Sequence, residues 1–73
     1  NISKIQLPEQ FVGKSVADAN LRRRFGLNII AIENDGRVLD KIQPDYVFQP
    51  EDTLFLVGSR DGLFKISQCA HHA

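Results

Sequence analysis

The chain has 73 residues, with nine basic and nine acidic side chains and a formal net charge of zero. That length allows one small domain, and the charge balance argues against a nucleic-acid polymer as partner, which would call for a basic excess. A single cysteine rules out an internal disulfide, no zinc-ligand spacing occurs, and no apolar run approaches the ~20 residues that span a bilayer. The hydrophobic share of 42% is ample for so small a fold. Part of that surface is therefore expected to be covered by a second copy or by a larger parent protein. The chain starts at Asn1 and not at methionine, and it reads as a piece of a longer protein.

Ile2 to Leu7 places apolar residues at 2, 5 and 7, an imperfect alternation that predicts a short strand, ended by Pro8 or left by it at an edge. Phe11-Val12-Gly13-Lys14 reads as a turn. Ser15 is positioned to cap a helix with Asp18 three residues on, in a variant of the capping box. The helix is expected to run from Val16 into Arg22-Arg23-Arg24, where cations suit the negative end of the helix dipole, and to stop at Gly26.

Leu27 to Glu33 is the clearest strand. Its run Ile29-Ile30-Ala31-Ile32 is apolar on both faces, so both faces are expected to be covered. Asn34-Asp35-Gly36 signals a tight hairpin, with Arg37-Val38-Leu39 as the returning strand. Pro44-Asp45 interrupts, Tyr46-Val47-Phe48 is a brief extended piece, and Pro50-Glu51-Asp52 is another turn. Thr53 to Gly58 is the second buried strand. Ser59 then caps a terminal helix with Asp61 in its first turn and Leu63, Phe64 and Ile66 as apolar contacts. The order β-α-β-β-β-α, with short connections and a hairpin, predicts an α+β fold: two layers, with two helices against a small, largely antiparallel sheet. One domain is expected over residues 1–68, with a frayed tail over 69–73.

The junction from Leu21 to Ile32 sets guanidinium groups and the Asn28 amide beside an apolar strand, which suits an anionic ligand or a partner chain. Catalysis is not expected, because nothing arranges a nucleophile, base and orienting group. Asp35, Glu51 and Asp52 read as turn residues. No spacing requires a bound metal or cofactor. Cys69 lacks a basic or helix-start neighbour, and His71 and His72 belong to the tail.

Several ordered pieces together resemble the C-terminal domain of the regulator of K⁺ conductance, the TrkA-C domain. They are Val12-Gly13-Lys14-Ser15-Val16, then Asn20 through Ile32, Asp35-Gly36, Pro44-Asp45, Gln49-Pro50-Glu51-Asp52-Thr53-Leu54, and Val57-Gly58. The resemblance covers roughly residues 2 to 66. It implies a non-enzymatic, cytoplasmic homodimeric module that senses a small ligand and regulates a K⁺ or other cation transporter, channel or antiporter at the inner membrane. A Rossmann domain often precedes such modules, and no G-x-G-x-x-G fingerprint occurs here.

Some members bind cyclic di-AMP between two such domains, through an arginine six residues before an asparagine. That pair corresponds to Arg22 and Asn28, with Pro44 in the later loop and Val16, Ala17 and Ile29 as the apolar wall. Ala17 is smaller than its counterpart tends to be in those members, and Arg37 stands where they present a different polar side chain. The alternative is a purely structural dimerisation module with no small ligand.

Overall fold

The computed structural model describes residues 2–70. Strands β1 (Ile2–Gln6), β2 (Leu27–Asn34), β3 (Arg37–Leu39) and β4 (Thr53–Gly58) form one antiparallel sheet in the order β1-β4-β2-β3. Helices α1 (Val16–Ala19), α2 (Leu21–Phe25) and α3 (Arg60–Ala70) pack on one face of it. The expected α+β fold and succession of strands are those observed, with the first helix divided in two and a 3-10 turn before it.

The sheet is built around β4. Its alternate residues Leu54 and Leu56 are fully buried against the helices, beside Leu27 and Ile32 from β2 and Ile66 from α3. Phe11 and Phe48, from the connecting segments, fill the rest of the core. Phe11 therefore does more than turn the chain: it closes a 3-10 turn at Glu9–Phe11 and meets Phe25 edge-on, with ring centroids 6.4 Å apart.

Three local signals behave as expected. Ser15 Oγ accepts from the Asp18 amide at 3.1 Å, and Ser59 Oγ accepts from the Gly62 amide at 3.0 Å, each satisfying a free N–H of a helix start. The hairpin closes on Asp35 and Gly36, both left-handed (φ 51° and 79°), as a two-residue turn matched to strand twist requires.

Three expectations need correction. The helix predicted from Val16 into the arginines is two helices, because Asn20 adopts a left-handed conformation (φ 50°, ψ 51°) between them. Ala19 and Leu21 are both buried, at 0% and 3% exposure. Two residues apart on a continuous helix they would point about 200° apart. The break turns both inward, and asparagine tolerates that conformation better than most residues.

The second correction concerns the apolar run of β2. It does not have both faces covered, since Ile30 is 39% exposed. Ile30 is the extra residue of a β-bulge: Ile29 pairs with Leu56, and Ala31 with Phe55. Inward-facing residues shift from the odd positions Leu27 and Ile29 to the even position Ile32. The run therefore spans a change of face.

Third, Phe64 is 63% exposed and makes no core contact, whereas Ile66 is fully buried and Leu63 packs at the core edge. α3 itself runs to Ala70. The rest of the expected tail, 71–73 with His71 and His72, lies outside the described residues.

Candidate ligand-binding groove

β3 pairs only with the far end of β2, from Ile32 to Asn34. The first half of β2 therefore has no strand partner on that side among the described residues. A groove of about 430 Å³ lies there, between this bare edge, the α1–α2 corner and the loop that follows β3. Val16 and Ala17 come from α1, Arg22 from α2, Asn28 and Ile29 from β2, and Pro44 from the loop. All six residues singled out from the sequence thus line one groove, with Ile42 and Leu27 extending its apolar wall.

The three arginines part company here. Arg24 lies over two rings, with its guanidinium carbon 5.7 Å from the Phe11 centroid and 5.2 Å from that of Phe25. Arg23 is exposed away from the groove, and only Arg22 lines it. The reason is the helix break: α2 restarts after Asn20, buries Leu21, and so sets the next residue towards the mouth of the groove. No carboxylate pairs with Arg22 among the described residues. A guanidinium at the edge of an apolar wall, with an amide beside it, can hold an anion that carries flat apolar groups.

Pro44 belongs to a strap that crosses the molecule beside residues 13–17. The amides of Gly13, Val16 and Ala17 donate to the carbonyls of Phe48, Tyr46 and Pro44 at 3.0, 2.8 and 2.9 Å, and the Phe48 amide donates to the Lys14 carbonyl at 2.9 Å. The brief extended piece at 46–48 is this strap, bridged antiparallel to Ser15 at Val47.

Behind the strap sits Asp52, expected from the sequence to be a turn residue but fully buried. Its carboxylate accepts from Asn34 Nδ2 at 2.6 Å, from the Tyr46 hydroxyl at 2.8 Å and from the Gln49 amide at 2.9 Å. Burial, helped by that hydrogen bond and by the charge on Asp52, pushes the Tyr46 hydroxyl up to about 12. The available signal was the spacing of Tyr46, Gln49 and Asp52 directly before a buried strand. Asp52 reads as a turn residue because Tyr46 and Gln49 are its near neighbours in sequence, while the third donor, Asn34, is brought up from the end of β2 eighteen residues away. A larger groove, about 690 Å³, opens on this side between the hairpin and residues 46–50, and holds none of the six residues.

The sequence profile of the TrkA-C domain matches residues 3–68. No curated protein matches the chain. Among solved structures, the C domain of the regulator of K⁺ conductance from the potassium transport protein KtrA, in complex with cyclic di-AMP, is 25% identical, with a TM-score of 0.87 over 93% of this chain and 80% of that one. The corresponding domain dimer of S. agalactiae BusR, also with cyclic di-AMP, is 27% identical, with a TM-score of 0.83 over 94% and 88%. The GsuK channel bound to NAD is 27% identical, with a TM-score of 0.81, and the match spans 94% of this chain but 13% of the channel.

BusR has also been solved in complex with its busAB promoter DNA, where the match spans 35% of that chain. That complex overturns the expectation that no nucleic-acid polymer is among the partners. The physical reason is that a neutral 73-residue segment does not bound the charge or the contacts of a longer protein that contains such a domain. No helix among the described residues is long and apolar enough to cross a membrane.

Proposed function

The chain belongs to the TrkA-C domain family, and on that premise we propose that it is a regulatory, ligand-sensing module of a K⁺ or other cation transport system. It works as a homodimer whose paired grooves take cyclic di-AMP. The observation that carries this reading is the convergence of Arg22, Asn28, Ile29, Pro44, Val16 and Ala17 on one groove, in a fold whose KtrA and BusR relatives hold that ligand.

A two-fold symmetric ligand suits a cleft made of the same surface used twice. One Arg22 from each copy meets one bridging phosphate, the Asn28 amide reads the edge of an adenine, and the apolar wall covers its face. The module acts by binding, not by turnover. Ligand shifts the orientation of the two copies only as far as it prefers one orientation over the other, and that shift is what a pore or carrier feels.

Titration calorimetry with cyclic di-AMP tests the reading. Binding is expected, and Arg22→Ala weakens it by about 2 kcal/mol or more while sedimentation still gives a dimer. Absence of binding at concentrations up to about 1 mM rejects ligand sensing by this chain. A dimer that persists without ligand then leaves a structural dimerisation module. The BusR complex supports a second reading of the setting, with the same sensing module inside a regulator that binds promoter DNA. Transmembrane helices or a DNA-binding segment in the parent reading frame separate the two.

A further inference from the structure

We propose that Asp52 is a positioning residue for the ligand groove, acting from outside it by clamping the strap that carries Pro44. The strap has two sides. Towards the groove, its carbonyls at Pro44 and Tyr46 accept from the Ala17 and Val16 amides, so the two α1 residues of the wall and the loop residue opposite them are held to one another through backbone. Away from the groove, the strap is held by the buried carboxylate, which takes the Tyr46 hydroxyl and the Gln49 amide on one side and the Asn34 amide on the other.

Asn34 is the last residue of β2, the strand that also supplies Asn28 and Ile29. Asp52 therefore ties the strap to the same strand that forms the opposite bank of the groove, and fixes the width between them. The Asp52 backbone is itself anchored: its carbonyl accepts from the Leu7 amide at 2.9 Å, and its amide donates to the Gln49 carbonyl at 3.2 Å. The carboxylate thus reaches out from a fixed point beside β1. Its donors are all neutral, and no cation pairs with Asp52 among the described residues. A carboxylate without a counter-charge in the core is costly unless every nearby donor is used on it. The three hydrogen bonds offset that cost only while strap and strand keep this spacing.

The effect on ligand rests on the function proposed above; the effect on the strap does not. Amide hydrogen exchange followed residue by residue is therefore the primary test, on the whole chain, for wild type, Asp52→Asn and the milder Tyr46→Phe. In Asp52→Asn, which keeps the shape but sets an amide donor against the existing ones, the Gly13, Val16, Ala17 and Phe48 amides are expected to lose about tenfold or more of their protection. The amides of the β1–β4 ladder keep theirs.

Tyr46→Phe gives the same pattern to a smaller extent. Cyclic di-AMP affinity falls in the same order, by on the order of tenfold for Asp52→Asn. Uniform loss of protection across the sheet makes Asp52 a general stabiliser and overturns the proposal, as does unchanged exchange at those four amides. If wild type binds no cyclic di-AMP, the ligand reading fails while the exchange pattern still decides the clamp. If Asp52→Asn does not fold, exchange at the same four amides in Tyr46→Phe decides it alone.

Discussion

Gly62 lies within α3, where glycine is a poor helix former, so replacing it with alanine should by propensity alone stabilise the chain by up to about 1 kcal/mol. The tertiary structure predicts the opposite sign. A Cβ at this position would overlap the carbonyl oxygen of Phe25 and lie 3.3 Å from a methyl group of Leu27. The first obstacle is backbone, at the last residue of α2, and it has no rotamer to move to. Overpacking of this kind costs roughly 1–3 kcal/mol, and a backbone obstacle places it near the top of that range. Less the propensity gain, Gly62→Ala is expected to lose about 2 kcal/mol.

For a domain of this size, that lowers the melting temperature by about 8–16 °C. The assay is thermal unfolding followed by circular dichroism at one fixed protein concentration, because the proposed dimerisation would make the midpoint concentration-dependent. The same substitution pushes on α2, which carries Arg22, so on the function proposed above cyclic di-AMP affinity should fall even well below the melting range. An unchanged or raised melting temperature would refute the close approach of α3 to the end of α2.

Tyr46 is the one tyrosine of the chain, so its ionisation can be followed by phenolate absorbance. The midpoint is expected at about 12 in the folded chain and about 10 in denaturant. Since the folded value is the higher, the unfolded chain releases its proton first as pH rises. This group's share of stability is therefore complete below pH 10.0 and declines as pH climbs through about 12. Asp52→Asn should bring the folded midpoint down, and an unmoved midpoint speaks against their contact.

Glu51 sits at φ 75° behind Pro50, in a turn closed by the Asp52 amide on the Gln49 carbonyl. Glu51→Gly relieves a left-handed L-residue and should stabilise by roughly 0.5–1 kcal/mol in urea unfolding; a loss of stability would contradict that turn geometry. Ser15→Ala removes the cap of a four-residue helix and should cost about 1 kcal/mol, measured the same way. No change would mean that the strap alone holds α1 in place.

Much of this architecture is legible because its signals are local. A hydroxyl before a helix, a glycine after one and Asp-Gly between two strands each act on the peptide groups next to them. Their meaning does not depend on the rest of the fold. The six groove residues are legible for a different reason. They follow from resemblance to a family, and the structure brings them to one surface.

By itself the sequence determined the element order, the hairpin, the caps and the stop before β2, since each is decided within a few residues of chain. Only the tertiary structure decided the break at Asn20, the change of face at Ile30, the tight approach of Gly62 to Phe25 and the burial of Asp52. Each of these answers to a packing partner brought in from another element. Ala19 and Leu21 share one core, β2 follows the register of β4, and a carboxylate collects donors from residues 34, 46 and 49. Such demands arise only once the layers are packed, because burial makes an unpaired donor or an outward-facing apolar residue costly, and water in the open chain does not.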